Sequence, residues 1–123
     1  MKILNLGSSG QIGAYLSDYL REKGHEVFDF DITNGPEQDL TLIPNLSLEH
    51  YVKESDFVFF LAFDVGGSRY LKKYQHTFDF INNNRALFAS IFNDLTQWRF
   101  HCTQSNAHTY SLVIVVTNSV LNL

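Results

Sequence analysis

Hydrophobic positions fall into runs and stripes that predict alternating strands and helices. Lys2-Ile3-Leu4-Asn5-Leu6 is dominated by apolar residues without alternation, the mark of a strand buried on both faces. Gln11–Lys23 follows with Ile12, Leu16, Tyr19 and Leu20 at i, i+4, i+7 and i+8, one stripe of a helix that Gly24 ends. Val27–Phe30 predicts a second strand, and Thr33-Asn34-Gly35-Pro36 a loop. Gln38–Leu42 is a short third strand at best, and Ser47–Lys53 a helix capped by Ser47. Phe57-Val58-Phe59-Phe60-Leu61-Ala62 carries the strongest strand signal in the chain. Beyond the Gly66-Gly67 loop, Tyr70–Phe80 starts a helix and Asn82–Leu95 continues with Leu87, Ile91 and Leu95 stacked. Arg99–Thr103 predicts a further strand, and Leu112-Val113-Ile114-Val115-Val116 a β-branched one.

This alternation implies an α/β fold with a parallel sheet covered on both faces, a doubly wound arrangement of Rossmann type. At 123 residues the chain is expected to form a single domain. The net charge of −4, with no basic cluster beyond Lys72-Lys73, gives no support for nucleic acid as a partner. No apolar run reaches the roughly 20 residues of a membrane span. The single cysteine, Cys102, has no partner for an internal disulfide, and no basic leader precedes the first strand. The expectation is therefore a cytoplasmic protein without membrane contact.

The first 31 residues carry the chemistry. Gly7-Ser8-Ser9-Gly10-Gln11-Ile12-Gly13 lies between the first strand and the first helix, and Asp31 ends the second strand. Gly7 permits a sharp turn, Gly10 lets the backbone approach a pyrophosphate, and Gly13 lets the helix pack closely. The helix N-terminus offers free N–H groups and partial positive charge to phosphates. An acid at the second strand end accepts hydrogen bonds from an adenosine ribose and repels a 2′-phosphate, favouring NAD over NADP. Asp29, one pleat away, competes with Asp31 for that role.

The Gly-x-x-Gly-x-x-Gly spacing resembles the extended short-chain dehydrogenase/reductase family, in its NAD-dependent epimerase/dehydratase branch that acts on nucleotide sugars. Gln38-Asp39-Leu40 is similar to the family's "Gly-Asp-Leu" segment, whose acid sits near the adenine. Asp56–Ala62 is similar to its "Asp-x-Val-x-His-Leu-Ala" strand, with Phe60 in place of His. Val65-Gly66-Gly67-Ser68 resembles the loop on the nicotinamide side, Asn82-Asn83-Asn84 the start of the next helix, and Phe100–Ser105 the strand ending at the active-site serines. The resemblance covers about residues 1–105, leaving an atypical tail over 106–123. It implies NAD contacts at Gly7, Ser9, Gly10, Gln11, Ile12, Gly13, Asp31, Asp39, Leu40, Leu61, Ala62, Phe63 and Asn83. It also implies catalytic roles at Ser105 and Tyr110, and a nucleotide-sugar substrate once a C-terminal part completes the site.

The tail departs from that pattern. The family's catalytic Tyr-x-x-x-Lys is absent: Ile114 stands four residues after Tyr110, and no lysine follows Lys73. A tyrosine without that cation is a poor base at neutral pH, because an unperturbed phenol titrates near about 10. The expectations are an incomplete or frame-shifted copy of a longer enzyme, or a non-catalytic NAD-binding sensor or regulatory module. An incomplete copy would leave an exposed sheet edge near Leu112–Val116, through which a homodimer is a further expectation.

Other residues have plainer readings beside functional ones. Ser105 caps a turn as readily as it serves a hydroxyl mechanism, Tyr110 packs as readily as it acts as base, and Asn82 or Asn83 serves as an N-cap. The five histidines form no metal pattern, so no metal is expected. Arg69, Lys72 and Lys73 either meet a phosphate or form a solvated helix face.

Overall fold

The computed structural model describes residues 1–62, 68–94, 98–104 and 112–118. Strands β1 (Lys2–Leu6), β2 (Glu26–Phe30) and β3 (Phe57–Phe60) form a parallel sheet with β1 in the middle. Helix α1 (Gln11–Glu22) connects β1 to β2, and α2 (Leu46–Glu54) precedes β3. Helices α3 (Ser68–Tyr74) and α4 (Phe78–Asp94) follow. Two further strands, β4 (Trp98–Gln104) and β5 (Leu112–Asn118), extend the sheet in the order β2-β1-β3-β5-β4. The chain thus has an α/β fold built on a three-stranded parallel sheet.

Pleating sorts the residues of β1 to the two faces. Leu4 and Leu6 face α2, in register with Phe28 and Phe30 on one side and with Val58 and Phe60 on the other. Leu48 and Val52 of α2 close that core, and Leu40 completes it from the connecting segment. Tyr51 lays its ring against Phe28 and Phe30, with centroids 5.4 and 6.0 Å away. Each such fully buried side chain stabilises the fold by about 1.5–3 kcal/mol, so this face holds the sheet together.

The opposite face is polar at its centre. Asn5, wholly buried in β1, donates from Nδ2 to Gly13 O and to Ser17 Oγ, both at 2.8 Å. Ser17 Oγ in turn donates to Asp29, whose second oxygen pairs with Arg21. One chain of hydrogen bonds therefore ties β1, α1 and β2. The face of α1 turned to the sheet is Gly13, Ser17 and Leu20, not the expected stripe of Ile12, Leu16, Tyr19 and Leu20. Leu20 alone belongs to both, while Ile12 and Tyr19 are 53% and 55% exposed. The physical reason is the short loop. Only four residues join β1 to α1, so the first helical turn must lie against the strand end, and only a small residue fits there. At the other end of α1, His25 N–H reaches Leu20 O and Gly24 N–H reaches Arg21 O, with Gly24 at φ +84°, a Schellman ending in which Gly24 takes the expected stop position.

Four other expectations need correction. Gln38–Leu42 forms no strand: a 3-10 turn spans Pro36–Gln38, and Asp39 accepts hydrogen bonds from both Thr41 N–H and its hydroxyl. Such local side-chain bonds compete with strand pairing. Helix α2 is capped by Asn45, whose side chain accepts from Leu48 N–H at 2.9 Å, rather than by Ser47. Helix α4 starts at Phe78, ahead of Asn82, where Thr77 Oγ1 accepts from Phe80 N–H. Finally, the sheet is parallel only over β1–β3. Strand β5 runs antiparallel to β3, and β4 antiparallel to β5. The Leu112–Val116 segment is a strand, as its β-branched run predicts, but it lies paired on both sides and β4 takes the edge.

Candidate functional site

The parallel strands end together, and a cavity of about 420 Å3 opens at their carboxyl ends. Ligands of open α/β sheets bind outside the carboxyl ends of the strands. Backbone bonds lock the three ends: Gly7 N–H donates to Phe30 O, and Leu61 N–H to Leu6 O, both at 2.8 Å. Gly7 has φ +88°, and a Cβ there would stand 2.7 Å from Ala62 N, so only glycine lets β1 turn away beside β3. Gly13 is more constrained, since a Cβ would meet Gly7 O at 2.1 Å and Ser8 Cα at 2.9 Å. Gly10 differs: its nearest obstacle is Gly7 O at 3.4 Å, which leaves free space on its cavity side. The first-turn N–H groups of Gln11 and Ile12 have no carbonyl partner within the helix.

Asp31 stands opposite the glycine loop. Its Oδ2 accepts from Ser9 N–H at 3.1 Å and its Oδ1 from Thr33 N–H at 3.0 Å. Ser9 and Thr33 also share a hydroxyl–hydroxyl bond of 2.7 Å, so the glycine loop and the turn after β2 are joined on both sides of the carboxylate. Partial burial raises the carboxyl's proton affinity, but the hydrogen bonds from Thr33 and Ser9 outweigh it and hold the group below its ordinary value. Asp31 is therefore an anion at neutral pH. Asp29, its rival, is engaged with Ser17 and Arg21 on the α1 face and does not line the cavity.

The structure places eight of the residues named from the sequence on the cavity wall: Gly7, Gly10, Asp31, Asp39, Leu40, Leu61, Ala62 and Asn83. Ser9 stands beside it through Asp31, and Gly13 beneath it through Gly7. The side chains of Gln11 and Ile12 lie elsewhere, in an exposed apolar patch with Tyr15, Leu16 and Tyr19. Phe63, Ser105 and Tyr110 lie outside the described residues, as do the Val65-Gly66-Gly67 loop and Leu95. Sequence reasoning missed Ile32, Gln38, Thr41 and Leu87, which also line the cavity. Leu87 was legible only as part of a helix stripe, and Gln38 only as a replacement for a family glycine. A second cavity, of about 610 Å3, shares Thr41 and Asn83 with the first and continues toward Tyr70, Tyr74 and Phe80. It contains no part of the glycine loop. Among the described residues no group of His, Cys, Asp and Glu is arranged to hold a metal ion, and no helix is long and apolar enough to cross a membrane.

A scan of protein-family models finds none that matches this chain, and neither a curated protein nor a solved structure matches it.

Proposed function

We propose that this chain is a Rossmann-type nucleotide-binding domain that holds NAD. The observation that carries this reading is the convergence, on one cavity, of a glycine-lined helix N-terminus, an ionised acid and an apolar slot. In the proposed arrangement the pyrophosphate lies against Gly10 and the first N–H groups of α1, where partial positive charge favours an anion. The adenosine ribose donates its hydroxyl protons to Asp31. The adenine lies between Leu40, Ala62 and Leu87, with Asp39 at its edge. The cavity residues fit that group: Gly10 leaves backbone open for close approach, and the acid disfavours a second phosphate on the ribose. Bound NAD would supply hydride transfer.

The resemblance to nucleotide-sugar epimerases and dehydratases makes a nucleotide sugar the proposed substrate class. The missing Tyr-x-x-x-Lys favours a second reading for these residues, a non-catalytic NAD-binding sensor or regulatory module. Titration with NADH and NADPH, followed by nicotinamide fluorescence, tests the reading. Saturable binding, weaker for NADPH and weakened about tenfold or more by Asp31→Ala, is the expected outcome. A folded protein that binds neither would overturn it. Hydride exchange with a nucleotide sugar by this chain would dispose of the non-catalytic reading.

A further inference from the structure

We infer that Gln38 is a specificity-determining residue that reads, together with Asp31, a ribose hydroxyl against a deoxyribose. The inference rests on the nucleotide reading of the cavity. Gln38 stands where the resembling family carries glycine, so its amide is a feature of this chain. Two donors fix that amide. Asp31 N–H reaches Gln38 Oε1 at 2.9 Å, and Asn34 Nδ2 reaches the same oxygen at 3.0 Å. Two donors on one atom identify it as the oxygen, so the NH2 group points the other way. Gln38 Nε2 makes no hydrogen bond among the described residues, and the side chain lines the cavity together with Asp31.

The two neighbouring groups are opposite in kind. Each Asp31 oxygen accepts one backbone N–H, from Ser9 or Thr33, the hydroxyls of the same two residues lie against the carboxylate, and the anion on the cavity wall is an acceptor for a ligand donor. Gln38 offers N–H and no free acceptor on that side. A hydroxyl is the one common ligand group that donates to the first while accepting from the second. A hydrogen atom in its place satisfies neither. A phosphate ester accepts from Gln38 but meets the Asp31 anion. The pair therefore selects a ribose hydroxyl, with Asp31 taking its proton and Gln38 Nε2 its lone pair.

Gln38→Glu isolates the donor, because the carboxylate keeps an oxygen for Asp31 N–H and Asn34 while losing the NH2. The affinities of the 123-residue chain for ADP, 2′-deoxy-ADP and 3′-deoxy-ADP are compared by competition with NADH. The wild type should prefer ADP over one deoxy analogue by about five- to tenfold, and Gln38→Glu should reduce that ratio to about twofold. Added negative charge weakens all three ligands alike and leaves the ratio to report the hydroxyl alone. Gln38→Met gives up the whole amide and should lower the ratio in the same way, so it carries the test if the glutamate variant does not fold. An unchanged ratio in a variant that still binds ADP overturns the role of Gln38 while leaving the nucleotide site standing. A wild type that binds none of the three nucleotides overturns the nucleotide reading, and this inference with it.

Discussion

Gly10 and Gly13 stand three residues apart in one loop and answer to different constraints. A methyl group at Gly13 would collide with backbone atoms of Gly7 and Ser8, which have nowhere to retreat. Gly13→Ala should lower stability by about 1–3 kcal/mol, measured by urea denaturation. A methyl at Gly10 meets only an ordinary contact, so Gly10→Ala should keep its stability yet weaken NADH about tenfold by filling the proposed phosphate cradle. Equal stability losses in the two variants would contradict this division. Asp31 adds a pH dependence of known sign. Its folded-state pKa lies below the ordinary 3.8, so its contribution to stability is fully present above that value and is lost as pH falls through the folded one. The excess melting temperature of the wild type over Asp31→Asn should therefore be constant near neutral pH and shrink on acidification below about pH 4. At this scale the sequence was most legible at Gly7 and Gly13, which are fixed by steric demands that a short motif states directly. Gln38 was not, since its role depends on two donors brought to it by a turn.

At the scale of elements, α2 and the segment before it show how a cap can carry more than a helix end. Asn45 is buried; its Oδ1 accepts Leu48 N–H while its Nδ2 donates to Asp39 O at 2.9 Å. It thereby holds the turn that brings Asp39 and Leu40 to the cavity. Asn45→Ala should cost about 1–2 kcal/mol, and it should weaken NADH as well, whereas Asn45→Asp keeps the cap and should lose less stability. A cap variant with unaltered NADH affinity would show that the Asp39 turn stands without it. The periodicity of α1 located the helix but not its buried face. Ile12 and Tyr19 satisfy the apolar stripe, yet Gly13 and Ser17 face the sheet because the four-residue loop and the Asn5–Ser17–Asp29 bonds set the rotation of the helix. Periodicity records which positions share a face, and a short connection decides which face is turned inward.

For the whole molecule, the decisive feature is the antiparallel pair added beside β3. Strand β5 covers the β3 backbone from Phe57 to Phe60, so the run most prone to edge pairing is enclosed. A chain shortened to end at Gln104 lacks β5 and should associate with rising concentration, as read by light scattering. A shortened chain that stays monomeric and soluble would mean that β5 is dispensable for shielding β3. The parallel pairing of the first strands was legible, because apolar runs separated by helix patterns imply parallel strands. The reversal in the tail was not, because the Leu112–Val116 run predicts a strand of either direction and says nothing of its neighbour.

The sequence by itself determined the α/β alternation, the glycine loop between β1 and α1, and an acid at the end of β2. These follow from local sterics and from the periods of strand and helix. Tertiary structure alone decided that Asp31 rather than Asp29 faces the cavity, that Gln38 lines it with its amide oxygen held by Asp31 N–H and Asn34, and that the sheet ends in an antiparallel pair. Each of those outcomes depends on which distant backbone group meets a side chain, and that is fixed only when the elements pack.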